Sequence, residues 1–469
     1  MKGILSVGNK NAIKNREAFE TNMSQFPFFN ITRQTLEIEW QQCEDEGRIM
    51  NLHEREFRQL CARDLKDPAR QRKAEDFLDR TIQMPIRENF PYNEPSSLEE
   101  IRRQRGEAPA LPPLKITDAE LADKIEGAWL GRACGCLLGK PVEGWHRSRM
   151  HGYLKETKRF PLADYFSQKA AESIRKKYEI DNEKPFIENV RIMPQDDDMD
   201  YTVAALEIIK KHGQDFSPED VAKFWLENFA PLRLWTAERA AFRNFCMDVP
   251  PPQSAVFRNP WREWIGAQIR ADLYGYVAPA QPERAAEFSW RDACISHVKN
   301  GIYGSMWVAA MISSAFAASD IPFIIRAGLA QIPAQSRLRD AISQVLKWRE
   351  ENASYDEASE RLHRLWDEKR AYDWCHAISN AMAVAIGLLW GEGDFERSIC
   401  RAVQVCFDTD CNGATVGSIA GVIIGAKKIP YKWSKPLNDT LESSLACRGR
   451  LAISGLAKET LEAIEKIHK

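Results

Sequence analysis

"DKIEGAWLGRACGCLLG", Asp123 to Gly139, carries glycine at 127, 131, 135 and 139. A four-residue interval returns close to the same side of an α-helix, so the four glycines form one stripe. Each costs about 1 kcal/mol of helix propensity relative to alanine. The usual structural return on that cost is close approach of a second helix, which predicts a tightly packed central helix here. Its start is marked by "TDAE" at Thr117, a capping-box pattern in which Glu120 can reach back to the cap backbone.

Working outward, the chain reads as helix after helix. The patterns predict helices over Tyr201–His212, stopped by Gly213, and over Pro218–Phe229 with Ser217 as cap. Further helices are expected at Thr236–Met247, Gly301–Ala317, Asp340–Glu351, Ala377–Trp390 and Phe395–Cys406, and a last core helix at Gly413–Ala426. Alternating strand patterns bounded by hairpin turns are scarce, and no repeat of solenoid period is visible. The expected fold class is all-α. Upstream, "TRQTLEIEWQQCEDEGRI" and "EREFRQLCARDL" are charged and helical in pattern, and the prolines from Pro91 to Pro113 suggest a connector wrapped over the surface. The expected organisation is a helical extension with its Pro-rich connector over 1–114 and one large helical domain over 115–469.

Bulk properties narrow the function classes. With 469 residues, 44% hydrophobic and 28% charged, this is the composition of an ordinary globular protein. A net charge of −2 gives no broad electrostatic case for nucleic acid or an acidic membrane. The longest apolar run, "MWVAAMISSAFAA" from Met306, is too short to span a bilayer and reads as a core helix. The N-terminus lacks the apolar centre of a signal peptide. The eleven cysteines form neither zinc spacing nor a dense disulfide frame, so buried reduced thiols and a cytoplasmic location are expected.

Two acidic clusters stand out. "MPQDDDMDYTVAALEII" puts Asp196, Asp197, Asp198 and Asp200 at the head of one apolar helix, and "FDTDCNGATVGSIAG" puts Asp408 and Asp410 at the head of another. A single aspartate there is an ordinary cap. Three in a row exceed what a cap needs and repel one another, and a bound cation would relieve them. Oxygen-only donors suit Mg²⁺, Mn²⁺ or Ca²⁺ rather than zinc.

"GAWLGRACGCLLGKPVE", "QDDDMDYTVAALEII" and "DTDCNGATVGSIAG", in that order, resemble the three-part signature of the ADP-ribosylglycohydrolase family, over roughly Thr117 to Leu441 and including the late "KIPYKW". The resemblance implies a compact all-α domain holding two divalent cations, Mg²⁺ or Mn²⁺. It assigns Asp196, Asp197, Asp408 and Asp410 as metal ligands, with Asp197 and Asp408 also catalytic. Glu143 matches a glutamate beside the metals that gates the cleft or handles the attacking water. Gly266 and Ala267 fall in a loop whose backbone approaches the substrate diphosphate, and His297, Asn412 and Gly413 fall at substrate positions. Two residues depart from the pattern: Gln195 and Cys411 stand where the family has threonine, and a thiol is a poor ligand for Mg²⁺.

The function so implied is metal-dependent hydrolysis at the anomeric carbon of an ADP-ribosyl or related ribosyl substrate, on a modified protein or a small molecule. Two alternatives stand beside it: an N-glycoside hydrolase of a small nucleoside or nucleotide, and a non-catalytic binding or structural relative. Phosphohydrolase chemistry ranks lower, since no P-loop pattern is present.

Overall fold

The computed structural model describes residues 30–467. Its centre is a helix pair. The helix Asp118–Gly139 begins at the expected capping box: the Glu120 N–H donates to Thr117 Oγ1 (3.2 Å), and the Thr117 N–H donates to Glu120 Oε2 (2.7 Å). From Gly127 to its end almost every residue is buried. Its partner is Thr409–Ile424, which begins four residues earlier than expected and so takes Asp410, Cys411 and Asn412 into its first turn.

The two helices run antiparallel with glycine facing glycine. Gly127 meets Gly421, Gly131 meets Gly417, and Gly135 meets Gly413, while Gly139 abuts the Thr409–Asp410 backbone. A Cβ at any of these seven glycines would overlap a backbone atom of the opposite helix. The second stripe, at 413, 417 and 421, is as regular in the sequence as the first, and the two stripes define the register of the fold.

Other helices wrap this pair. Ala377–Gly391 is apolar on every side and accordingly buried at every residue. It packs with Phe395–Gln404, and both pack against Thr409–Ile424. Lys299–Ala315, which contains most of the long apolar run, is buried from Asn300 onward and lies against Pro282–Ala293 and Ile321–Leu329. Ile453–Ile467 covers the other flank of the glycine helix, where Trp129 Nε1 donates to Thr460 Oγ1 (3.0 Å). Among the described residues the only strands are Thr440–Glu442 and Arg450–Ala452, paired as an antiparallel ribbon. No helix among the described residues is long and apolar enough to cross a membrane.

The extension contains Arg33–Asp45, Glu54–Cys61 and Pro68–Thr81, which close over a small core including Leu36, Cys43, Leu60, Phe77 and Leu78. The Pro-rich connector carries one short helix, Leu98–Gln104, that the prolines gave no hint of; its Ile101 is anchored in the main core. Buried ion pairs hold the extension in place. Arg262 reaches Glu39 (2.6 Å) and Glu46 (2.7 Å), and Arg337 reaches Glu94 (2.7 Å) and Glu263 (2.8 Å). Removing one member of such a pair strands a buried charge, at a cost of about 3–5 kcal/mol.

Candidate metal centre and active site

The last rung of the glycine ladder places the site. Because Gly139 lies against Thr409 and Asp410, the chain leaving the first helix, Lys140 to Glu143, arrives beside the N-terminus of the second. The Thr409 hydroxyl donates to the Gly139 carbonyl (2.9 Å) and closes the junction. The turn before Asp408 is strained: Cys406 (φ 74°) and Phe407 (φ 61°) both occupy the left-handed region. Non-glycine residues there cost on the order of 1–2 kcal/mol each. The turn is held by the Asp408 N–H donating to Asn380 Oδ1 (3.0 Å) and by Phe407 stacking on His363. The third contributor is the helix Asp197–His212, which Asp196 caps by accepting from the Asp198 N–H (2.9 Å).

These three segments converge on one cavity of about 630 Å³, lined by Lys140, Glu143, Asp196, Asp197, Asp408 and Asp410 among others. One oxygen each from Glu143, Asp408 and Asp410 lie within 4.8 Å of one another. Asp410 is 3% exposed and its Oδ1 has no hydrogen-bond partner. Two further groups of potential donors lie nearby, Asp198 with Asp410 and Cys411, which shares Asp410 with the first, and Cys136 with Asp196 and Asp198, which shares Asp198 with the second, but each includes a thiol.

Crowded carboxylates resist ionisation. Repulsion from Asp410, then burial and Asp196, push Glu143 up to about 8 against the pull of Lys140. Burial and the Asp196 carboxylate raise Asp410 to about 6, again opposed by Lys140. Burial together with neighbouring acids raises Asp197 and Asp408 well above the carboxylate range. Asp196 is the exception. Burial pushes it upward, but the Lys140 ammonium, 2.5 Å from Oδ2, overcomes this and holds the group below its ordinary value.

The charges that meet these acids are Arg132 and Lys140, the only charged residues between Gly127 and Val142. Arg132 is fully buried and pairs with Asp198 (3.0 Å) and Asp272 (2.9 Å). Their isolation in an apolar stretch was a legible sign that they face acids. Asp200 takes a structural role instead, accepting from Ser443, Ser444 and Gln195. Gln195 lines the cavity, but its amide is engaged, with Nε2 donating to Asp200 and Oε1 accepting from Arg233 (2.9 Å).

The remaining expected residues divide. Gly266 lines the cavity in the turn Ile265–Arg270, where a Cβ would overlap the Glu238 carboxylate; Ala267 is buried and is not among the lining residues. Gly413, expected at the substrate, is a rung of the ladder packed on Gly135. Asn412 is buried, donating to Asn380 Oδ1 (2.8 Å), and so braces the acidic turn from behind. His297 is buried, bonded through Nδ1 to Ser296 Oγ (2.8 Å), and does not line the cavity. Burial and the nearby Arg270 push it well below its ordinary value, which disfavours the charged form. The walls include residues the sequence gave no signal for: Glu238, paired to Arg270 (2.7 Å), Cys375 with its thiol on Asp408 Oδ2 (3.5 Å), and Trp235 and Trp374; Trp264, beside the Gly266 loop, joins them.

The all-oxygen donor set, the buried unpartnered Asp410 oxygen and the mutual repulsion of the acids fit a hard divalent cation. The molecule is thus an all-α protein with a carboxylate-lined cavity suited to such an ion. The sequence profile of the ADP-ribosylglycohydrolase family matches residues 117–467, and the chain belongs to that family. Among curated proteins none matches. Among solved structures, one titled "ADP-ribosylglycohydrolase-related protein complex" is similar at 18% identity and a TM-score of 0.46, over 74% of this chain and 99% of that chain.

Proposed function

We propose that the protein is a divalent-cation-dependent glycohydrolase acting at the anomeric carbon of an ADP-ribosyl or closely related ribosyl group. The observation that carries this reading is the convergence of Asp196–Asp197, Asp408–Asp410 and Glu143 on one cavity. Its volume of about 630 Å³ lies within the roughly 300–1,000 Å³ usual for small-molecule sites. Glu143, Asp408 and Asp410 would hold the cation, Mg²⁺ or Mn²⁺, which when bound supplies a positive charge that orients sugar hydroxyls and water.

The chain's own groups do the rest. Asp197 is half-buried at the cavity wall and, once a bound cation offsets the neighbouring acids, would be the group to accept a proton from an attacking water. Glu143 lies at the exposed mouth, where it can exchange protons with solvent. Trp235, Trp264 and Trp374 supply an apolar wall on the far side, which limits water and offers flat surfaces to a base or ribose. All eleven cysteines are free thiols, which fits a reducing, cytoplasmic setting.

The test is product release from an ADP-ribosylated protein and from free nucleosides, with Mg²⁺ or Mn²⁺ present. The Asp408→Ala, Asp410→Ala double variant is expected to lose cation binding and turnover together. Undiminished turnover would refute the assignment, and release from nucleosides alone would move the substrate to a simple N-glycoside.

A further inference from the structure

The resemblance implies two cations, but the donor geometry of this chain differs around Asp196. Three donor groups form a chain from the cavity inward, linked through Asp410 and Asp198, and they are not equivalent. The group Glu143, Asp408 and Asp410 offers oxygen alone, and its Asp410 Oδ1 is buried without a partner. The other two both include Asp198, whose Oδ1 receives the Arg132 guanidinium at 3.0 Å and whose Oδ2, like Asp410 Oδ1, is buried without a hydrogen-bond partner, and each adds a cysteine thiol. Hard cations bind thiols poorly.

Asp196 is committed as well. Its Oδ1 accepts from the Asp198 N–H as the helix cap, and its Oδ2 lies 2.5 Å from the Lys140 ammonium. Gln195, which precedes it, has its amide engaged by Asp200 and Arg233. A second divalent ion beside Asp196 would have to displace a lysine held by a short ion pair, and would find a thiol from Cys136 among its donors.

We propose that this chain binds a single divalent cation, at Glu143, Asp408 and Asp410, and that the Lys140 ammonium is a built-in positive charge standing where a second ion would sit. This inference rests on the functional reading above for the existence of the cation site, and adds its stoichiometry. An ammonium offers hydrogen-bond donors and no empty coordination positions. Lys140 would therefore fix the Asp196 end of the site permanently and present N–H groups to a substrate hydroxyl, leaving one exchangeable ion. Its place follows from the ladder: Lys140 is the C-cap residue of the glycine helix, delivered to Asp196 by the Gly139 contact.

The experiment uses Mn²⁺ alone, without substrate, on the full chain. Calorimetry and metal analysis after gel filtration give the stoichiometry, and electron paramagnetic resonance separates an isolated Mn²⁺ from an exchange-coupled pair. The wild type is expected to hold one equivalent with an uncoupled signal. Lys140→Met is expected to admit a second equivalent and to develop coupling, and Lys140→Gln serves where the methionine variant does not fold. Two equivalents with a coupled signal in the wild type would overturn the proposal, and so would variants that still bind only one. No Mn²⁺ binding at all, or binding that survives Asp408→Ala with Asp410→Ala, would instead sink the functional reading on which it rests.

Discussion

Replacing a ladder glycine by alanine has an outcome whose sign depends on the packing described here. On an exposed helix the change would gain about 1 kcal/mol from propensity. At Gly131 or Gly135 the added Cβ would fall inside the facing carbonyl of Gly417 or Gly413, and backbone cannot rotate away as a side chain can. The helices must separate by on the order of 1 Å, and overpacking of this kind costs about 1–3 kcal/mol. With rigid backbone on both sides the upper end applies. Subtracting the propensity gain leaves a net loss of about 2 kcal/mol, to be read from urea midpoints and thermal unfolding. The site adds a second readout. Gly127 lies twelve residues from Gly139, about 18 Å along the axis at 1.5 Å per residue. Gly135→Ala is therefore expected to displace Asp410 from Glu143 and weaken Mn²⁺ binding about tenfold, equivalent to about 1.4 kcal/mol. Gly127→Ala should destabilise comparably while leaving Mn²⁺ affinity close to wild type. Stabilisation by alanine at 131 or 135, or equal affinity loss at both ends, would refute the reasoning.

Arg132→Met would leave Asp198 and Asp272 buried without their cation, and a loss of about 3–5 kcal/mol is expected in chemical unfolding; an unchanged midpoint would contradict the pairing. Arg262→Met strands Glu39 in the seam under the extension, while Glu46 keeps Arg48 and Lys299, and faster limited proteolysis within 91–113 is the expected sign. His363, stacked on Phe407 and bonded to the Val405 carbonyl, is pushed down to about 4, first by burial. The unfolded chain takes up that proton near 6.5, so between these values unfolding binds a proton and stability falls as pH drops. His363→Gln should flatten the acid limb of the stability profile over pH 6.5 to 4, and an unaltered slope would show that other groups carry it.

Helices were legible wherever they pay for their length in buried apolar surface. Pro218–Asn228 and Ala377–Gly391 end within a residue of the expected bounds. The shortfall lay at helix starts, where Asp197 and Thr409 open their helices four residues ahead of the apolar pattern, because hydrophobic periodicity does not register a polar first turn. Acidic residues at Asp196–Asp198, Asp408 and Asp410 announced themselves by an excess of charge over what a cap needs. Gly413 was ambiguous for the opposite reason: a glycine near a binding motif reads equally as ligand approach or helix approach, and the facing Gly135 supplies the helix approach. Glu238, Trp235 and Trp374 come from segments that meet the cavity through tertiary packing alone, and nothing local marks them, whereas Trp264 adjoins the Gly266 loop already expected at the substrate.

The two glycine stripes and the acidic site are one device rather than two. Antiparallel rungs pair 127 with 421, 131 with 417 and 135 with 413, and the same register sets Gly139 on Asp410. A slip by one rung would still place glycine against glycine at two of these levels, so close packing alone would not forbid it. It would move Asp410 about 6 Å from Gly139, four residues at 1.5 Å each. Lys140 and Glu143 would then be drawn away from the acids they meet. What opposes the slip directly is one local bond, the Thr409 hydroxyl on the Gly139 carbonyl; Lys140 on Asp196 and Arg132 on Asp198 tie the first helix to Asp197–His212 rather than to its glycine partner. The buried charges that look costly as stability elements therefore anchor the first glycine helix to Asp197–His212, while the ladder and the Thr409 bond bring Asp408 and Asp410 to the same place.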